Sequence, residues 1–179
     1  NDWFSRMRKR SPVYFAAACG LLVAVIGLST SGGTFGSGYS YTRAMLEGSD
    51  NGSPLYVLLK FVATWLSTWS GVPGGIFAPA LAIGGAVGND IAQWTGHPRS
   101  ATLIALGMAG FLAAVTQAPI TAFVIVMEMV DGHGLVLSLM ACALLASAVS
   151  RLISTPLYAS LAELQLKRIP PDAVEKRSP

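Results

Sequence analysis

The sequence predicts an all-α integral membrane protein whose helices are broken and re-entrant. Three observations carry that prediction. Of 179 residues, 53% are hydrophobic and only 12% charged, against roughly 25% charged in an average soluble domain. Several uncharged stretches approach the ~20 apolar residues that cross about 30 Å of hydrocarbon. Glycine and proline then interrupt those stretches at depths where a membrane tolerates non-helical backbone only beside protein or a cavity. A soluble helical protein of this length exposes too much surface to hide so many uncharged segments.

The first apolar segment, Pro12 to Thr30, carries no charge and predicts a helix over about Val13 to Leu28, ended by Ser31-Gly32-Gly33. The Gly-rich polar stretch that follows leaves room only for a short helix, Tyr39 to Glu47. Pro54 to Trp69 is the next helix, with Lys60 its single charge, expected to snorkel or to face a protein cavity. Gly71, Pro73, Gly74 and Gly75 stop the chain before a helix of about Phe77 to Trp94. The uncharged run Ala101 to Met127 exceeds one crossing, but Gln117-Ala118-Pro119 splits it, because proline lacks an N–H and disfavours helix in its predecessor. Two helices follow from this, about 101–115 and 119–130, then a turn at Gly132-His133-Gly134 and a helix over 135–151. Arg151 is placed to complement the negative end of that helix. A last helix, about Leu157 to Lys167, grows progressively polar.

Arg6, Arg8, Lys9 and Arg10 precede the first segment, and Lys167, Arg168, Lys176 and Arg177 follow the last. Positive flanks mark cytoplasmic ends, so both termini are expected on the cytoplasmic side of a cell membrane. The basic residues gather at the ends rather than on one helix face, which argues against nucleic acid as a partner. Cys19 and Cys142 lie far apart inside apolar segments and read as packing residues, not as a metal cluster or a disulfide. A chain that starts at Asn1 without a cleavable-signal pattern reads as part of a longer polypeptide.

The most informative stretch is Gly75-Ile76-Phe77-Ala78-Pro79 with Gly74 before it: glycines end one segment, and a proline sits just inside the next helix, where its fixed φ suits the first turn. The opening turn of a helix presents N–H groups without intrahelical partners and a partial positive charge. In a low-dielectric pocket these replace part of an anion's hydration shell, with Ile76 and Phe77 supplying the amides. Partial charges also permit release, which a full cation would slow. The plainer alternative is a Gly-Pro turn between membrane helices.

These residues resemble a family. GGIFAPALAIGG, residues 74–85, is similar to the GxFxP selectivity-filter motif of the CLC chloride channels and chloride/proton exchangers. KFVATWLSTWSGVPGG resembles the helix leading into that motif, and GMAGFLAAVTQAPITAFVIVMEMV the broken helix pair beyond it. Thr155-Pro156-Leu157-Tyr158 is similar to the segment whose tyrosine hydroxyl contacts the central chloride, so the resemblance implies that role for Tyr158. On the residue alone, Tyr158 reads first as an ordinary interfacial aromatic anchor, and the resemblance reverses that preference.

The resemblance covers about Arg10 to Lys167 and implies the C-terminal one of the two inverted-topology halves of a CLC subunit. Residues 1–11 are then a basic cytoplasmic linker, 12–167 the membrane half, and 168–179 a cytoplasmic tail. The N-terminal half, with the family's serine-bearing chloride loop and its gating and proton-transfer glutamates, has no counterpart here. Glu128 does not take their place; its ordinary role is interfacial or structural. The features that separate channel from proton-coupled exchanger belong to that other half, while Tyr158 argues against the fluoride-exporting branch. Gly84 and Gly88, and the small residues of helices 119–130 and 135–151, suit close helix packing; the resemblance implies that the latter pair contributes to a homodimer interface. The implied substrate is chloride or a similar anion, with no catalytic residue, metal or cofactor. Two other readings stand beside it: a transport-incompetent scaffold or dimerisation half, and, remotely, an intramembrane serine hydrolase using Ser37 with His133.

Overall fold

Proline and glycine set the element boundaries. The computed structural model describes residues 12–30, 32–48, 54–70, 75–96 and 100–154. Among them the chain forms α1 (Pro12–Ser29), a short α2 (Tyr39–Leu46), α3 (Pro54–Trp69), α4 (Phe77–Thr95), α5 (Ser100–Thr116), α6 (Pro119–Met129) and α7 (Val136–Ile153), with a 3-10 turn at His133–Leu135 leading into α7. Pro12, Pro54 and Pro119 each occupy the first helical position, where a missing N–H costs nothing. Gly96, at φ 61°, closes α4 in the left-handed conformation that glycine adopts without strain. The expected basic linker 1–11, the loop residues His97 and Arg99, the last helix, Tyr158 and the tail 168–179 lie outside the described residues.

Among the described residues one helix, His133–Ile153 with its 3-10 start, is long and apolar enough to cross a membrane. Its 21 residues extend about 31 Å at helical rise. The other apolar helices are shorter; a break divides the run from Ala101 into helices of 17 and 11 residues.

The chain falls into two compact units, Asn1–Met108 and Ala109–Pro179, divided within α5. In the first, α3 packs against α1 and α4, and α2 packs on α4. Helix α4 is buried along Ala80–Ala86, and its glycines let the start of α5 approach closely. A Cβ on Gly88 would fall 2.2 Å from Leu103 O, and one on Gly107 2.2 Å from Gly84 O. In the second unit α6 packs along α7, around the buried residues Leu112, Ala113, Ala122, Val126, Leu139 and Ala143. Large apolar side chains face outward instead: Leu137, Leu145, Leu152 and Ile153 of α7 are 68–88% exposed. An apolar exterior of that kind suits a lipid surround.

Candidate anion-binding site

The site expected at Gly75–Pro79 is built on the start of α4. Ile76 precedes the helix at φ −95° and ψ −23°, and its carbonyl accepts the first helical hydrogen bond from Ala80 N at 3.1 Å. Phe77, Ala78 and Pro79 are therefore the first three helical residues. Gly75, Phe77 and Ala78 are exposed, while every residue from Ala80 to Ala86 is buried. Alanine and glycine make this possible, since a helix with almost no side-chain bulk can be enclosed along its length. The result is a buried helix whose positive end opens outward. All five motif residues share this one turn. Tyr158 lies outside the described residues.

A second polar arrangement, on α3, was only half legible in the sequence. Lys60 is 2% exposed. Its Nζ donates to Thr34 O at 2.9 Å and Gly36 O at 2.8 Å, so the ammonium holds the loop between α1 and α2 instead of reaching for an interface. One turn earlier, Tyr56 is 3% exposed and stacks on Tyr41 with ring centroids 3.9 Å apart. Its hydroxyl has no hydrogen-bond partner among the described residues. Gly38, at φ 82°, lets the loop pass over both side chains; a Cβ there would sit 3.0 Å from Tyr56 Oη and 3.3 Å from Lys60 Cε. The available signal was the i, i+4 spacing of Tyr56 and Lys60, which puts both on one face of α3.

The break between α5 and α6 is held by the end of α7. Gln117 takes a left-handed φ of 55° and is buried. Its Nε2 donates to Ser154 O at 3.0 Å, and Ser150 Oγ donates to Ala114 O at 2.6 Å. Arg151 Nη2 donates to Gln117 O at 3.1 Å. Arg151 stands in the last turn of α7, as the sequence places it, and also serves the carbonyl end of α5, because the break brings an orphaned carbonyl within its reach. The network replaces hydrogen bonds that proline denies to a continuous helix.

The residues of the hydrolase reading are each engaged locally. Ser37 Oγ accepts the Tyr39 N–H at 3.2 Å, while His133 Nε2 lies 3.3 Å from Asp131 Oδ1, in the other unit. Glu128 is exposed in the last turn of α6, and Cys19 and Cys142 are not joined in a disulfide.

Residues 1–151 match the family model described as voltage gated chloride channel. The H(+)/Cl(-) exchange transporter ClcA of Cronobacter sakazakii is 34% identical over 159 residues, covering 80% of this chain and 32% of that protein. ClcA of Salmonella paratyphi A is 31% identical over 158 residues, 83% of this chain and 33% of its own length. The voltage-gated ClC-type chloride channel ClcB of Escherichia coli O81 is 33% identical over 155 residues, 80% of this chain and 36% of its own. The chain spans about a third of the length of the curated relatives it matches. On the family match across most of its length, the chain belongs to the voltage gated chloride channel (CLC) family.

Proposed function

We propose that this chain forms part of a transmembrane pathway for chloride or a similar anion. The observation that carries the reading is the geometry of α4: a helix buried from Ala80 to Ala86, with Gly75, Phe77 and Ala78 exposed at its start and Ile76 half-buried between them. The amides of Ile76 and Phe77 coordinate the anion there, and the Tyr158 hydroxyl completes the site from another broken helix. A phenol suits that role because it donates a hydrogen bond without carrying a charge. The protein supplies coordination in a dry pocket and uses no cofactor.

In this reading residues 12–167 are the C-terminal membrane half of a CLC subunit, flanked by a cytoplasmic linker and a cytoplasmic tail. An N-terminal half completes the pathway, and a second copy forms a homodimer. The names of the relatives, an exchanger and a channel, support anion transport for the class. A second reading is a scaffold or dimerisation half that does not transport alone.

Chloride efflux from liposomes tests both, with the chain alone, the full-length polypeptide that carries it, and Tyr158→Ala in the latter. Efflux from the full-length polypeptide and none from the chain alone is the expected result. Flux from the chain alone would sink the scaffold reading. Equal chloride occupancy with and without the Tyr158 hydroxyl would remove that residue from the site.

A further inference from the structure

The charge on Lys60 is not balanced by any opposite charge among the described residues. An ammonium has three N–H donors; two are spent on the carbonyls of Thr34 and Gly36. No carboxylate among the described residues pairs with it. Carbonyl dipoles offset part of the desolvation of a buried cation but supply no opposite charge. The neighbouring Tyr56 hydroxyl is also unspent, although Tyr56 is 97% removed from solvent by its 3% exposure and an unsatisfied buried hydroxyl costs free energy. Both side chains converge on the turn at Gly38: Tyr56 Oη and Lys60 Cε lie 3.0 and 3.3 Å from the point a Cβ on that residue would occupy.

We propose that Lys60 and Tyr56 form a second anion site, taking a small inorganic monovalent anion between the third N–H of the ammonium and the phenolic O–H. One ligand of that class satisfies both unspent donors and neutralises the charge, which neither water nor a further carbonyl does. The site stands on α3 and the loop between α1 and α2, and is independent of the reading of α4. A full positive charge makes it a holding site, in contrast to the partial charges at the start of α4. An anion kept there also fastens the loop, because the same ammonium grips Thr34 O and Gly36 O. Gly38 is required on two counts: a side chain would press on both ligating residues, and its φ of 82° strains any other residue.

Bromide anomalous diffraction on the full-length polypeptide, purified in detergent and crystallised in sodium bromide, tests the site directly. The expected result is a peak within hydrogen-bonding reach of Lys60 Nζ and Tyr56 Oη, absent in Lys60→Met. Tyr56→Phe keeps the ring on Tyr41 and removes only the hydroxyl, so bromide at this position should bind about tenfold more weakly, as expected for one hydrogen bond to a charged partner. If Lys60→Met does not fold, thermal unfolding of Tyr56→Phe with and without bromide decides. Stabilisation by bromide should be smaller than in wild type; equal stabilisation overturns the proposal. Bromide at the start of α4 with none at Lys60 overturns it and leaves the α4 reading intact. Bromide at Lys60 alone does the reverse. A polypeptide carboxylate or a water in the wild-type position overturns it as well.

Discussion

Gly107→Ala should be among the most damaging single-methyl additions in this chain. The new Cβ would lie 2.2 Å from Gly84 O and 3.0 Å from both Gly88 Cα and Gly88 N. A carbon and a carbonyl oxygen rest about 3.3 Å apart or more, so α4 and the start of α5 must part by about 1 Å along that line. No side chain is available to swing aside, because every atom in the way is backbone. Overpacking of this kind costs about 1–3 kcal/mol where side chains can adjust, so a backbone-on-backbone clash belongs at or above about 3 kcal/mol. That is more than a hundredfold in the folded-to-unfolded ratio, at about 1.4 kcal/mol per tenfold. Separation also loosens Ile104 and Met108, both fully buried. Gly20→Ala is the control: nothing lies within 4 Å of a Cβ there, and alanine in mid-helix gains roughly 0.5–1 kcal/mol over glycine. Reversible unfolding in mixed micelles, with denaturing detergent as the titrant, measures both variants against wild type. If Gly107→Ala unfolds within about 1 kcal/mol of wild type, by the scale of ordinary surface substitutions, the close approach of the two helices is wrong.

Two further outcomes follow from the sites. Phe77→Pro removes the N–H at the first helical position, while also disfavouring the αR backbone of Ile76 at ψ −23°, and should weaken chloride binding about tenfold or more if that amide coordinates the anion. Phe77→Ala, which keeps the amide, should bind within about twofold of wild type, a difference of under 0.5 kcal/mol; titration calorimetry with chloride separates the two. At the α5–α6 break, Ser150→Ala removes the 2.6 Å bond to Ala114 O and should cost about 1 kcal/mol. Combining it with Gln117→Ala should cost less than the two separately, since both belong to one network, and the same unfolding assay reads the coupling.

How much of this was legible in the sequence varies with how local its cause is. Pro54 and Pro119 fix helix starts by their own covalent geometry, and both helices begin where the sequence places them. The division of the run from Ala101 was legible for the same reason. The turn Gly75–Pro79 was recognisable because Pro79 falls in the first turn of α4, where its fixed φ suits the helix and its missing N–H costs little. Lys60 was another matter: its charge inside an apolar helix was plain, but its partners, Thr34 O and Gly36 O, lie 26 and 24 residues away. Only the fold of a glycine-rich loop brings them near. Arg151 was placed correctly in the last turn of its helix, but its partner, the Gln117 carbonyl, was not legible, since it exists as an acceptor only because the preceding helix stops there. Tyr56 gave no sequence signal that its hydroxyl would be enclosed without a partner. Short-range rules read the punctuation of this chain, and the polar contacts that cross between helices required the structure.

The near-absence of side chains along α4 has a thermodynamic corollary. Burying a leucine or methionine freezes rotamers, whereas glycine and alanine have none to freeze. The stretch Ala80–Ala86, five of whose seven residues are alanine or glycine, is therefore enclosed with little side-chain entropy lost. It also has few alternative arrangements to visit once enclosed. On the proposed reading, an anion at the open end of this helix is held by a backbone that the enclosed stretch already fixes, so its binding costs little reordering of the helix.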